Sequence, residues 1–426
     1  MPKKIWVVSE LYYPEETSTG YLLTKIAEGL AEHYPVNVLC GQPTYAARGL
    51  RMPARETHNG VNIQRCLSTA LNKDILPFRL INFITISCSV FVKAVQQIGR
   101  DDCVLVVTNP PSLPFLLVLA CRLRGAKCLL LIHDLYPELL VAVGKVKPHS
   151  VLTTFLNWLN KRLYASMERI IVIGRDMRTR ALEKLSSNHQ RIVFIPNWAD
   201  VEDVVPGRRD QNALLHELRL TNKFVVQCAG NMGYPNDIES IAESACKLKS
   251  RQDIHFLFIG SGAKKRWLED YVKDNALQNV TILPNQPRGE QSNFINACDA
   301  AIITLVAGML GVSMPSRTYN TLSAGKPIIG VVDARSELAK VVEEEGVGWI
   351  VPPSQPDKLV EAIFDAQAHP ERLAEMSLRA RSAAENKYSL DKIIEAYLSV
   401  FRSLDCSRQE QTTRTSQTQR RVKQTP

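Results

Sequence analysis

The chain has 426 residues, 45% of them hydrophobic and 22% charged, with a formal net charge of +9. That length carries two domains of ordinary size, each able to bury its own core, and the composition is that of a soluble globular protein. The ten cysteines form no C-x-x-C and no cluster at zinc-ligand spacing. Cys103, Cys128 and Cys228 lie in apolar runs, so reduced, buried thiols in a cytosolic protein are expected rather than a disulfide framework.

In chain order, MPKKIWVVSE (1–10) has two lysines but only IWVV before Ser9 and Glu10. It lacks the apolar region of a signal peptide and reads as a first strand, Lys4–Ser9. Val36–Cys40, Val104–Thr108, Cys128–His133, Ile170–Ile173 and Ile192–Ile195 continue as strands of one unit. Residues 75–98, ILPFRLINFITISCSVFVKAVQQI, form a long apolar helix, yet only 13 residues separate Arg79 from Lys93. A hydrocarbon core needs about 20, so no membrane span is expected. NWADVEDVVPGRRD (197–210) has the character of a linker. Phe224–Ala229, His255–Ile259, Val280–Leu283, Ala300–Thr304, Pro327–Val332 and Trp349–Val351 form a second set of strands.

Such runs alternating with amphipathic helices predict an α/β protein of two Rossmann-like, doubly wound parallel sheets, with ligands in a cleft at the strand C-termini. The expected domains are 1–200 and 201–387, followed by a helix, 388–404, packing back on the first domain. The last residues, 405–426, lack apolar periodicity and read as a disordered basic tail.

The charge is uneven. Residues 1–200 carry 24 Lys/Arg against 15 Asp/Glu, residues 201–404 carry 23 against 26, and the tail five against two. The basic residues of the front half are scattered, without a nucleic-acid-binding motif, so no nucleic acid partner is expected. An anionic membrane surface fits such a half, with Lys73, Arg79, Lys145 and Lys147 beside the long helix.

Three helix starts in the second unit share one chemistry. AGNMGYPND (229–237) follows a strand and precedes a helix, so backbone near Asn231, Met232 and Gly233 can face an anion; an ordinary β-α turn uses the same glycines. FIGSGAKKRWLEDY (258–271) repeats the arrangement with Gly260, then Lys264 and Lys265 opening a helix. Lysines there oppose the macrodipole unless an anion or solvent screens them. MPSRTYNTLSAGKP (314–327) sets Ser316 as an N-cap and Arg317 in the first turn. Three such starts imply a diphosphate or similar anion.

Together HDLYPE (133–138), IPNWAD (195–200), AGNMG (229–233), MPSRTYNTLSAGKP (314–327), EEEGVGWIVPP (343–353) and LYYPEETSTGYLLTKIAEGLAEHY (11–34) resemble the GT4 family of retaining glycosyltransferases. The likeness is greatest to the bacterial FucNAc and fucosyl transferases of the WbuB/WcaI type. The resemblance implies the GT-B fold and a donor nucleotide-sugar, UDP-linked, held by the C-terminal domain. It also implies a saccharide acceptor on polyprenyl diphosphate at the N-terminal one. Location follows as cytoplasmic and peripheral on the inner membrane face. His133 matches the family's N-domain active-site histidine, with a structural histidine as the plainer alternative. Gly20 matches the glycine at which backbone approaches the reaction centre, and Glu138 is an acceptor-side candidate. Asn285 joins the donor-side residues.

The sequence departs from the family in two places. The loop at 230–237 lacks the Arg and Lys that hold the diphosphate, which leaves Lys264, Lys265 and Arg317 to supply charge. The family's two glutamates fall on Val312 and Asn320. Asn320 can bond a ribose, whereas a grip on the sugar must come from the amides of Leu310, Gly311 and Val312. No Asp-x-Asp motif suits a donor-bound metal, and metal independence is expected, with no cofactor. A nucleotide-sugar 2-epimerase of the same fold, or a non-catalytic nucleotide-sugar-binding scaffold, remains open.

Overall fold

The computed structural model describes residues 4–44, 50–71, 75–185 and 189–404. The 405–426 tail and Lys73 lie outside the described residues. By contacts the chain divides into two compact units. The first gathers Met1–Leu131, Ala165–Ile171 and the chain from Asp391 onward; the second gathers Ile132–Tyr164 and Val172–Leu390.

The first sheet contains β1 (Ile5–Val8), β2 (Val36–Cys40), β3 (Arg55–His58), β4 (Val61–Arg65), β5 (Cys103–Val107), β6 (Lys127–Ile132), β7 (Arg169–Val172) and β8 (Ile192–Phe194). Their order is β3-β4-β2-β1-β5-β6-β7-β8. β1 pairs in parallel with β2 and β5, β5 with β6, and β2 with β4, whereas β3 and β4 form an antiparallel hairpin. That hairpin is absent from the sequence reading. It turns at Asn59-Gly60, both at positive φ, the dipeptide that suits a tight hairpin turn.

Helices α1 (Ser18–Ala31), α2 (Leu76–Gln97), α3 (Leu113–Arg124), α4 (Glu138–Ala142), α5 (Val151–Ala165) and α6 (Arg175–Glu183) alternate with these strands. α2 is long and apolar enough to cross a membrane by length and composition, where the 13 residues between Arg79 and Lys93 predicted no span. Its Ile86, Val90 and Ala94 are buried, and Ser87 bonds Ser112 at 2.8 Å. One face therefore belongs to the core of the first unit. A terminal helix, α15, covers 390–404. Its buried Phe401 meets Tyr34 with ring centroids 6.4 Å apart, and Lys127 Nζ donates to the Leu404 carbonyl at 2.6 Å.

The second unit holds α7 (Ala213–Glu217), β9 (Phe224–Ala229), α8 (Ile238–Lys247), β10 (Ile254–Ile259), α9 (Lys265–Asp274), β11 (Val280–Leu283), α10 (Gln291–Ile295) and β12 (Ala300–Thr304). It continues with α11 (Arg317–Ser323), β13 (Ile328–Val331), α12 (Glu337–Glu345), β14 (Gly348–Val351), α13 (Pro356–Ala368) and α14 (Pro370–Lys387). The six strands run β11-β10-β9-β12-β13-β14, all pairs parallel. β10 is buried at every position, as expected of a central parallel strand covered on both faces. The winding reverses between β9 and β12. At such a switch point the loops leave the sheet in opposite directions and open a crevice.

Candidate functional site

The loop after β9, Gly230–Asp237, lies against the loop after β10. Gly230 N donates to Ile259 O at 2.8 Å, Met232 N to Ser261 O at 2.7 Å, and Lys264 N to Met232 O at 2.9 Å. A Cβ at Gly260, whose φ is +148°, would stand 1.9 Å from the Gly230 carbonyl oxygen. Only glycine permits this approach. Met232 is buried, whereas Asn231 is exposed. Gly233 packs beside the Asn231 side chain, and exposed Asn285 donates to Ser261 Oγ at 2.8 Å.

Two cations from sequence-distant helices meet at this loop. Arg317 donates through Nη1 to Ala229 O at 2.7 Å and through Nη2 to Asn236 Oδ1 at 2.9 Å. Lys264 Nζ donates to Asn236 O at 2.7 Å and to Glu239 at 2.8 Å. Buried Asn236, which also donates to Asn231 O at 2.9 Å, thus joins both. Sequence reasoning missed Asn236 and Glu239; the position of Asn236 just before the Asp237 cap was the one available signal. Lys265 faces away, 3.7 Å from Glu269.

The three helix starts are not equivalent. At α8, Asp237 caps Ser240 N at 3.1 Å and Glu239 adds a second carboxylate, so the chain answers this macrodipole itself. α9 has no side-chain cap and no acid in its first turn. At α11, Ser316 occupies the N-cap position, but its backbone is helical (φ −64°, ψ −27°) and its hydroxyl makes no capping bond. The expected hydroxyl cap is corrected accordingly, because such a cap needs extended backbone at that residue.

The loop after β12 is held from below by α6. Asp176, buried at the start of α6, accepts Gly311 N at 3.0 Å and Met177 N at 2.8 Å, and Arg180 Nε lies 3.4 Å from Leu310 O. Val312 is fully buried and its N–H bonds Met309 O at 3.0 Å. Of the three amides expected to grip a sugar, those of Gly311 and Val312 are thus committed within the chain. Asn320 accepts Asp200 N at 3.0 Å through Oδ1.

The HDLYPE segment follows β6 and joins the same loop. Asp134 bridges Ser313, and Leu135 N donates to Val312 O at 2.9 Å. Burial pushes the His133 imidazole down to about 4, so it is neutral at pH 7. Burial pushes Asp134 up to about 6, against the lowering effect of the Ser313 hydroxyl. Glu138 pairs with buried Lys184 at 2.7 Å, and Lys184 also donates to Tyr136 O at 3.2 Å. Desolvation holds the Lys184 pKa below its ordinary value despite the Glu138 charge. Lys145 sits with Nζ 4.4 Å from the centroid of the Tyr234 ring, in the loop after β9. Gly20, in the first unit, lies in the first turn of α1, where a Cβ would come within 2.5 Å of the Glu15 carbonyl oxygen.

Two doubly wound parallel sheets, the second with Arg317 and Lys264 beside its switch point, are the architecture of a GT-B glycosyltransferase. Residues 20–198 match the family model described as "Glycosyl transferase 4-like domain" and residues 212–383 match "Glycosyl transferases group 1". The chain is 32% identical over 414 residues to WbjE of Pseudomonas aeruginosa, named as a probable glycosyltransferase; the match covers 94% of this chain and 98% of WbjE. It is 24% identical over 415 residues to WcaI of Escherichia coli K12, named for colanic acid biosynthesis glycosyl transfer, covering 94% and 100%. The chain therefore belongs to the GT4-type glycosyltransferases. Among solved structures it resembles the Anabaena protein HepE, crystallised with UDP and glucose, at TM-score 0.72 and 13% identity over 94% of this chain and all of that one. Sucrose-phosphate synthase of Thermosynechococcus elongatus gives TM-score 0.77 and 14% identity, covering 95% and 100%.

Proposed function

We propose that the protein is a retaining transferase that moves an N-acetylhexosamine, FucNAc or fucose-like sugar from a UDP-linked donor to a saccharide on polyprenyl diphosphate, in exopolysaccharide, capsule or O-antigen synthesis. The observation that carries this reading is the convergence of Arg317 and Lys264 on Asn236, in the loop between β9 and α8. Cations from two other helices stand where the loop itself has none. A diphosphate leaving group accumulates charge as its bond to the sugar loosens, and donors already in place stabilise it without reorganisation. The departing β-phosphate then takes the acceptor's proton, so no enzymic nucleophile is required. His133, neutral at working pH, acts as a hydrogen-bonding partner of the donor sugar. The Leu310 amide and the Asn320 NH2 group serve sugar and ribose.

With the diphosphate charge met by side chains and amides, catalysis proceeds without a metal or other cofactor, and turnover should survive EDTA. The enzyme works at the cytoplasmic face of the membrane that holds its acceptor. The 2-epimerase reading needs acid/base carboxylates at the sugar, and Ala307–Ser316 contains none. The test is a thermal-shift screen of UDP- and GDP-sugars, followed by free NDP release with and without a polyprenyl-diphosphate saccharide. Acceptor-dependent release from a UDP-sugar is expected. An epimerised nucleotide-sugar formed without acceptor, or no release from any donor, refutes the proposal.

A further inference from the structure

Helix α5, VLTTFLNWLNKRLYA, contains no carboxylate. Val151, Leu152, Phe155 and Trp158 are 87%, 51%, 52% and 49% exposed. Their spacing (i, i+1, i+4, i+7) sets them on one helical stripe. Phe155 and Trp158 stack with ring centroids 6.0 Å apart, and exposed Lys161 and Arg162 follow within one turn, the Arg162 guanidinium 5.1 Å from the Trp158 ring.

The other side of α5 is fixed. Thr153, Leu163 and Tyr164 are buried, Thr153 Oγ1 donates to Lys147 O at 2.8 Å, and Asn160 Nδ2 donates to Tyr136 O at 2.5 Å. The apolar stripe therefore cannot turn inward to cover itself, and four large apolar side chains in one exposed stripe mark a docking surface.

We propose that this face of α5 lies on an anionic lipid surface. The proposal rests on the reading of the protein as a transferase with a lipid-linked acceptor. Aromatic rings beside aliphatic side chains, edged by basic ones and free of acids, are what a helix lying in the headgroup layer needs. Rings and aliphatic groups enter the acyl boundary, while Lys161 and Arg162 meet lipid phosphates. A second copy of the chain is the rival occupant, and the oligomeric state distinguishes it. α2 and α3, in the first unit, are also free of carboxylates, and Ile81 and Ile84 on α2 are exposed.

The experiment measures flotation of the full chain with phosphatidylglycerol-containing vesicles and with phosphatidylcholine alone, at low salt. Wild type should float with the anionic vesicles only. The double variant Phe155→Asp/Trp158→Asp, and separately Lys161→Glu/Arg162→Glu, should lose at least about tenfold in bound fraction. Quenching by brominated lipid should reach Trp158, read as the difference between wild type and Trp158→Phe, which checks the face without relying on the charged variants. UDP binding by calorimetry should be the same in all variants. Undiminished flotation of both double variants, no quenching of Trp158, or a wild type indifferent to anionic vesicles overturns the proposal. So does a sedimentation shift from dimer to monomer in the aspartate variant, which gives the face to a second copy. A wild type that binds no UDP instead breaks the transferase reading and leaves the lipid result to stand on its own.

Discussion

Removing the Arg317 guanidinium tests the site most directly. It donates to the Ala229 carbonyl at 2.7 Å and to Asn236 Oδ1 at 2.9 Å, so it already ties α11 to the end of β9. A donor diphosphate at the same guanidinium would add a charge-assisted hydrogen bond, about 1.5–3 kcal/mol, or roughly a ten- to 150-fold change in Kd. Arg317→Ala should therefore weaken UDP binding by that amount in calorimetry while uridine binding barely moves. The variant also strands two acceptors, and a stability loss of about 1–3 kcal/mol in denaturant melts should accompany it. Arg317→Lys keeps the charge but not the fork, and should recover part of the UDP affinity. Asn236→Ala separates scaffold from ligand contact, since it cuts the tie to the loop and leaves the cation. If Arg317→Ala and Asn236→Ala lower UDP and uridine binding equally, the guanidinium is a scaffold and the reasoning fails.

Three further outcomes are expected. Lys264 is partly neutralised by Glu239 at 2.8 Å, so Lys264→Ala should cost less UDP affinity than Arg317→Ala. Glu239→Gln should tighten UDP binding by about 0.5–1 kcal/mol in low-salt calorimetry, and weaker binding would contradict this arrangement. Gly260→Ala must open the contact with the Gly230 carbonyl and should cost about 2–4 kcal/mol in urea unfolding, together with nucleotide affinity; a variant as stable as wild type would disprove the close approach. His133→Ala should lose turnover while UDP affinity stays intact. Burial holds the folded imidazole at about 4 against an ordinary 6.5, so its contribution falls as pH drops through that window. Asp134, at about 6 against 3.8, acts in the opposite sense, since the folded chain keeps a proton there that the unfolded chain has lost. Between pH 4 and 6 the two nearly cancel. His133→Ala keeps only the Asp134 effect and should lose up to about 3 kcal/mol of stability as pH rises from 4 to 6; a pH-flat difference from wild type would refute the assignment.

What could be read in the chain was whatever depends on neighbours in sequence. β10 and β12 are apolar apart from His255 and the terminal Thr304 because both faces are covered, and that pattern survives without any knowledge of what covers them. Glycine-bearing turns and the Arg317 helix start were legible for the same reason, since turn and cap preferences act over a few residues. The hairpin β3–β4 escaped because its edge strand Arg55–His58 is polar, leaving Asn59-Gly60 as its main trace.

The partners were settled only by the tertiary structure. No local pattern says that Asn236 receives both Arg317 and Lys264, that Asp176 takes the Gly311 amide, or that Glu138 is spent on Lys184. Nor could local sequence distinguish an answered helix start from an open one: Asp237 and Glu239 satisfy α8, while α9 begins with neither a cap nor an acid. Likewise Lys145, placed by composition among residues facing a membrane, rests over Tyr234, and exposed apolar side chains lie on α5 as well as on α2. Periodicity shows that a helix has an apolar face; only the packing of the rest of the chain decides whether that face is covered.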